Sequence, residues 1–200
     1  MTSKTALGVF LDIEGAFNNT CYDTICDALV KHGSEYTIVR RIRATVEGRV
    51  AVATLNGLSV GLAISRDCPQ GGVLSPLLWC LVVDDLLARV SGSGVFVQGY
   101  TDDICLLTVG KFPNTVSGLM QWALSTIEIW CNEVGLSVNP NKTGLVAFTR
   151  KRKLKGFFEP QFFGVKLSLL GSVTCLGVRG YSEFSVDLER ACGGQSEEGS

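Results

Sequence analysis

The chain has a single histidine, His32, in 200 residues, and no two of its eight cysteines form a C-x-x-C pair. A zinc site built on His and Cys spacing is therefore not expected. The thiols are scattered through apolar segments and read as free, mostly buried groups in a reducing compartment. No run of about 18 apolar residues is present, so no transmembrane helix is expected. Ala6–Leu11 stops at Asp12 and is too short for the apolar core of a secretory signal. These absences describe an intracellular chain, nuclear or cytoplasmic, that is neither secreted nor inserted in a membrane. The net charge of −1 excludes attraction to nucleic acid by overall charge. Positive charge is concentrated instead in one run, Arg150-Lys151-Arg152-Lys153-Leu154-Lys155.

What the chain has in quantity is apolar surface. Its residues are 46% hydrophobic, enough for one domain with a real core. That proportion also implies an exposed apolar face where a neighbouring domain packs.

The order of elements follows from periodicity and turn residues. Thr5–Leu11 reads as a buried strand ending at Asp12, and Tyr22–Lys31 as a helix stopped by Gly33. Ser34 is placed to cap a second helix reaching Glu47. Arg49–Leu55 and Leu58–Ile64 flank Asn56-Gly57, a type I′ hairpin signal. Pro69–Gly72 is a loop, and Ser75-Pro76 open an apolar helix to Arg89. Gly94–Val109 is a second hairpin. Asn114 caps a helix running to Glu133 and closed by Gly135; Met120, Trp122 and Trp130 fall at core spacing on it. Gly144–Thr149, Gln161–Leu167 and Val173–Val178 read as strands. Without its insertions this order is βαββαβ, a ferredoxin-like split motif: an α+β fold with an antiparallel sheet backed by helices.

The second hairpin carries the chemistry. Tyr100-Thr101-Asp102-Asp103 joins its two apolar runs, and adjacent carboxylates about 4 Å apart repel by roughly 4 kcal/mol at an effective dielectric near 20. Divalent cations relieve such repulsion, and oxygen ligands suit Mg²⁺. In βαββαβ topology the first strand lies beside this hairpin, so Asp12 is expected next to Asp102 and Asp103. Three carboxylates on adjacent strand ends suit two-metal phosphoryl transfer. Asp84-Asp85, the same dipeptide in the helix after Ser75, reads as a solvated helix face with no metal role.

Five segments resemble the ordered motifs of reverse transcriptases. Phe10-Leu11-Asp12-Ile13-Glu14-Gly15-Ala16-Phe17 resembles motif A. Cys68-Pro69-Gln70-Gly71-Gly72-Val73-Leu74-Ser75-Pro76-Leu77-Leu78 resembles motif B. Tyr100-Thr101-Asp102-Asp103 resembles the YxDD of motif C. Asn139-Pro140-Asn141-Lys142-Thr143 resembles motif D, and Cys175-Leu176-Gly177-Val178 the primer grip of motif E. The flavour is that of non-LTR, LINE-type retrotransposon enzymes of the Jockey-like group, and Gly156-Phe157-Phe158-Glu159-Pro160 supports it.

The resemblance implies a polymerase palm, with fingers and thumb largely absent, that transfers nucleotides by a two-metal mechanism. Asp12 and Asp102 would be the main ligands of two Mg²⁺ or Mn²⁺ ions, Asp103 would assist, and the Ile13 carbonyl would face a metal. Phe17 would be the aromatic gate selecting deoxynucleotides. Gln70, Gly71 and Gly72 would meet the incoming nucleotide, and Tyr100 the primer end. Lys142 would donate a proton to the leaving pyrophosphate. Arg150, Lys151, Arg152, Lys153 and Lys155 would run along the nucleic-acid backbone, with Leu176 and Gly177 at the primer. The implied partners are an RNA template, a DNA primer and a deoxynucleoside triphosphate, with fingers, thumb or endonuclease on a parent polyprotein.

Two positions depart from the family pattern: Asn18 stands where an aspartate is usual and Gly144 where a glutamate is usual. The palm is read over residues 1–179. Residues 180–200 are polar, acidic and glycine-rich without periodicity, and are read as a disordered or frameshifted tail. Two other functions stay open at this point. One is a catalytically dead, nucleic-acid-binding or vestigial retroelement fragment. The other is a different palm-type nucleotidyl transferase or cyclase, against which Pro69–Pro76 speaks.

Overall fold

The computed structural model describes residues 4–68, 71–149, 156–175 and 178–181. Strand β1 spans Thr5–Glu14, followed by α1 (Ala16–Asn19), α2 (Tyr22–Lys31) and α3 (Tyr36–Val46). A hairpin of β2 (Val50–Leu55) and β3 (Leu58–Ala63) precedes α4 (Ser75–Val90). Next come β4 (Val95–Tyr100), β5 (Asp103–Gly110) and α5 (Pro113–Val134). Short strands complete the order: β6 (Ser137–Val138), β7 (Gly144–Phe148), β8 (Gln161–Phe162), β9 (Val165–Lys166), β10 (Ser172–Cys175) and β11 (Val178–Tyr181).

The described chain forms two compact units, one from residues 1–12, 90–128 and 139–200, the other from residues 13–89 and 129–138. In the first, β1 is flanked by β5 on one edge and β7 on the other, and β4 extends the sheet beyond β5, all antiparallel. This is the strand order of the βαββαβ motif, as expected. One face of the sheet is closed. Leu7, Val9, Leu11, Ile104, Leu106, Val95 and Leu145 are buried on it. α5 packs there so closely that a Cβ on Gly110 would come 2.8 Å from Val116 Cγ2. Along α5, Val116, Met120, Ala123, Leu124 and Ile127 are buried at helical spacing.

In the second unit, α4 buries Ser75, Leu78, Trp79, Val82, Val83 and Leu86 along one stripe. Its other flank carries an ion-pair ladder. Asp85 receives Lys31 of α2 at 2.9 Å and Arg89 at 2.9 Å, and Arg89 reaches Glu133 at the end of α5 at 2.6 Å. Burial works to raise the Asp85 carboxyl, but the Lys31 hydrogen bond and the Arg89 charge outweigh it and hold the group below its ordinary value. Asp84-Asp85 is therefore not simply a solvated face: Asp85 clamps two helices, and Asp84 faces His32 at 3.6 Å. A cavity of about 380 Å³ lies along this ladder, lined in part by Thr24, Asp27, Val82 and Trp130.

The β2–β3 hairpin turns at Asn56 (φ 49°) and Gly57 (φ 81°), the two left-handed residues a type I′ turn requires. Every residue of both strands is exposed. Strand alternation places Ala51, Ala53, Leu55, Leu58, Val60 and Leu62 on one face, an entirely apolar surface of the kind the composition implied.

Several local expectations are corrected. β1 continues through Asp12 to Glu14, because Ile13 and Glu14 pair with Val138 and Ser137 of β6. The N-cap of α3 is Glu35, not Ser34. α5 starts at Pro113, which puts Asn114 inside the first turn, while Gly135 (φ 70°) ends the helix as expected. Trp122 is exposed, unlike Met120 and Trp130. Gln161–Leu167 is a hairpin, not one strand, because Phe163 (φ 46°) and Gly164 (φ 74°) reverse the chain. Val173–Val178 likewise spans parts of β10 and β11, which pair with each other. The tail expected from residue 180 begins inside β11, and residues 182–200 lie outside the described residues. Among the described thiols Cys26, Cys68 and Cys131 are buried, Cys21 and Cys105 half-buried and Cys80 exposed, and none of these forms a disulfide.

Candidate active site

The register of the first unit brings the acidic residues together. Asp12 of β1 stands directly opposite Asp103 of β5, and Asp103 opposite Tyr100 of β4. Directly opposed residues of antiparallel strands share a face, so Tyr100, Asp103 and Asp12 form one rung. The next rungs are Gln98, Cys105, Phe10 and Gly144, then Phe96, Leu107, Gly8 and Val146. This is the face turned away from α5. Asp12 and Asp103 are half-buried on it, and Tyr100 is 62% exposed. The alternation that buries Leu11 and Ile104 is what delivers the carboxylates to the open side.

Asp102 and Thr101 form the two-residue turn between β4 and β5. Thr101 has φ 53°. A β-branched residue in the left-handed region is strained, at a cost of order 1–2 kcal/mol. Eight consecutive pairs between β1 and β5 hold the turn in that shape. Burial, and then the neighbouring Asp102 charge, raise the Asp103 carboxyl above its ordinary value. Among the described residues, no three His, Cys, Asp or Glu side chains are gathered closely enough to hold a metal ion. The opposed pair Asp12–Asp103 is what the backbone pre-assembles, with Asp102 exposed at the turn.

Lys142 is exposed in the tied turn between β6 and β7. Its N–H donates to the Asn139 carbonyl at 3.1 Å, Asn139 Oδ1 accepts from Asn141 N at 3.0 Å, and Thr143 Oγ1 donates to the Asn139 carbonyl at 3.1 Å. The β1–β7 register ends at Phe10 opposite Gly144, and Lys142 precedes that strand by two residues. Gly144, at the usual glutamate position, is closely covered: a Cβ there would lie 2.8 Å from Val173 Cγ2.

In the second unit, Ile13 pairs with Val138, and Phe17 lies half-buried in α1 with its ring 5.9 Å from that of Trp79. Gly71 has φ 82°, and the Gly72 carbonyl accepts Ser75 N–H at 3.1 Å. Gln70, Arg150, Lys151, Arg152, Lys153, Lys155, Leu176 and Gly177 lie outside the described residues. Sequence reasoning missed Trp79 and the left-handed Thr101. The available signal for Trp79 was its helical spacing from Ser75 and Leu86, which by itself indicates only core.

An antiparallel βαββαβ sheet with opposed aspartates on its open face is a polymerase palm-type fold. The chain belongs to the reverse transcriptase (RNA-dependent DNA polymerase) family, whose model matches residues 1–178. It is 28% identical over 176 residues to a 115 kDa protein in the type-1 retrotransposable element R1DM of Drosophila melanogaster, covering 88% of this chain and 17% of that protein. Over 175 residues it is 30% identical to the retrovirus-related Pol polyprotein from the type-2 element R2DM of the same organism, covering 82% of this chain and 16% of the relative. The chain thus spans about a sixth of the length of these relatives. In fold it is similar to telomerase from Candida tropicalis in complex with a TWJ fragment of telomeric RNA, with a TM-score of 0.67, 12% identity, and coverage of 97% of this chain and 31% of that one. The retrotransposon lineage expected from the motifs is borne out.

Proposed function

We propose that this chain carries the catalytic centre of an RNA-directed DNA polymerase, with the rung of Tyr100, Asp103 and Asp12 as its core. The observation that carries the reading is the opposition of Asp12 and Asp103 on the open face of the sheet. An all-carboxylate donor set suits Mg²⁺ or Mn²⁺, and a cation would favour the charged form of the Asp103 carboxyl, which burial and then the Asp102 charge raise. Asp12, Asp102 and Asp103 would hold two such ions, with the Ile13 carbonyl beside them. When bound, the ions would supply activation of an attacking oxygen and charge relief at the leaving one.

The chain's own residues supply position and protons. Tyr100, exposed beside Asp103, supports the primer's 3′ end. The primer 3′-hydroxyl, giving up its proton to water, bonds to the α-phosphorus of the deoxynucleotide as the bond from that phosphorus to pyrophosphate breaks. Lys142, exposed in the turn before β7, gives a proton to the departing pyrophosphate. Phe17 crowds the 2′ position of the sugar, and Gln70, Gly71 and Gly72 border the nucleotide. The basic run Arg150–Lys155 follows the phosphate backbone of the RNA template and DNA primer, by contacts that are sequence-independent and weakened by salt. Among the described residues, no helix is long and apolar enough to cross a membrane.

Primer extension on an RNA template with Mg²⁺ or Mn²⁺ tests the reading. Asp12→Asn and Asp103→Asn are each expected to lower incorporation about 10³-fold. Undiminished extension by either variant would remove that residue from the site. No incorporation by the unmodified chain at any concentration would favour a nucleic-acid-binding role instead.

A further inference from the structure

We infer that Trp79 is the positioning residue for the Phe17 ring, and that it thereby sets the preference for deoxynucleotides over ribonucleotides; this rests on the reading of Phe17 as the sugar gate. The backbone around Phe17 is tied on every side. Gly15, at φ 59°, turns the chain out of β1, and a Cβ there would strike the Asn19 side chain. Asn19 N–H donates to the Gly15 carbonyl at 2.7 Å, and Asn19 Nδ2 donates to the Glu14 carbonyl at 3.0 Å. Thr20 Oγ1 donates to the Ala16 carbonyl. Cys68 N–H donates to the carbonyl of Phe17 itself at 2.7 Å. With its main chain held, the ring of Phe17 moves only by side-chain rotation.

Trp79 blocks that rotation on one side. Its ring lies 5.9 Å from that of Phe17 at an interplanar angle of 41°. Trp79 is itself only 2% exposed, on the buried stripe of α4. The start of the helix is fastened as well: Cys68 Sγ donates to the Ser75 carbonyl at 3.5 Å. One residue, Cys68, thus ties the gate's backbone through its N–H and the helix carrying Trp79 through its thiol. A half-buried ring excludes a hydroxyl only if it cannot swing back when pressed, and a close-packed indole provides that resistance. A smaller side chain at position 79 leaves a void behind the ring, which then yields to a 2′-hydroxyl.

The test uses the full chain with a deoxynucleoside triphosphate and the matching ribonucleoside triphosphate, measuring both relative incorporation in primer extension and relative affinity at equilibrium. Phe17→Ala is expected to abolish the preference. Trp79→Leu, which keeps apolar burial but loses the ring's breadth, should reduce it about tenfold, and Trp79→Phe by a smaller factor. Circular dichroism melts establish whether each variant folds; if Trp79→Leu does not, Trp79→Phe decides. An unchanged preference in the folded Trp79 variants, with loss in Phe17→Ala, would make Trp79 a core residue only and leave the gate intact. A preference surviving in Phe17→Ala would overturn the gate reading and this inference together. So would failure of the unmodified chain to bind or incorporate either nucleotide.

Discussion

Two hairpins in this chain share one design and differ in what holds them. β2–β3 and β4–β5 each pair through six residues a side and each close on a two-residue turn. The first has the turn that local physics favours, Asn56-Gly57, and its strands are exposed on both faces. The second has Thr101 in a left-handed conformation that suits it badly, yet β5 runs its whole length against β1, with Ile104, Leu106 and Thr108 buried. Local preference maintains the one and tertiary pairing the other. An acidic turn can therefore adopt a shape useful for chemistry only where the sheet around it over-determines the backbone.

The sharpest way to break the comparison is to remove equivalent apolar bulk from each hairpin. Leu106→Ala, at a fully buried site, is expected to cost about 2–5 kcal/mol. Leu62→Ala, on the exposed strand β3, should change stability by less than about 0.5 kcal/mol. Urea unfolding of both variants checks this, and equal losses would mean that β2–β3 is covered in solution.

Exchanging turn chemistry has a smaller effect with opposite signs. Gly57→Ala forces a Cβ into the left-handed region with nothing nearby to clash, and should weaken β2–β3 by about 1 kcal/mol. Thr101→Gly relieves strain and should stabilise by about 0.5–1 kcal/mol, less than the full strain because glycine also frees the unfolded chain. Hydrogen exchange of the flanking strand amides resolves the two; a destabilised β4–β5 in Thr101→Gly would contradict the strain argument.

The smallest effect is pH-dependent. A carboxyl whose value is raised on folding binds its proton more tightly in the folded state, so stability falls as pH rises from the ordinary aspartate value through the raised one. Asp103→Asn should remove that component and melt higher than the unmodified chain at neutral pH, with the difference vanishing below the ordinary value. A difference that grew on acidification would reverse the sign.

Much of the site was legible beforehand because it depends on order and period. βαββαβ order puts β1 beside the hairpin, and strand alternation then carries Asp12 and Asp103 to one face. Asn56-Gly57 and Gly135 were legible because few residues tolerate their conformations. What escaped depends on contacts made across the fold. Thr101 is a residue that local preference would never place at positive φ. Ser34 is a good cap by type, but α3 begins one residue after Glu35. Phe163 and Gly164 break a stretch whose composition reads as one strand. Trp79 is indistinguishable from any core aromatic until its ring is found against Phe17.

The rung that aligns Tyr100, Asp103 and Asp12 makes chain length the guarded quantity of this site. Side chains along β1 and β5 can be exchanged within broad limits, and relatives only 28% identical still align over 88% of the chain. A single residue inserted or deleted between Asp103 and Gly110 would be different in kind, because a shift of one reverses the face of every side chain on one side of the change relative to the other. With the Gly110 end of β5 held in register against β1, it would turn Asp103 toward the face that α5 covers and bring Ile104 out to the open one. Drift in composition leaves these strands alignable, whereas a change of one residue in count is expected to part Asp12 from Asp103 on the open face.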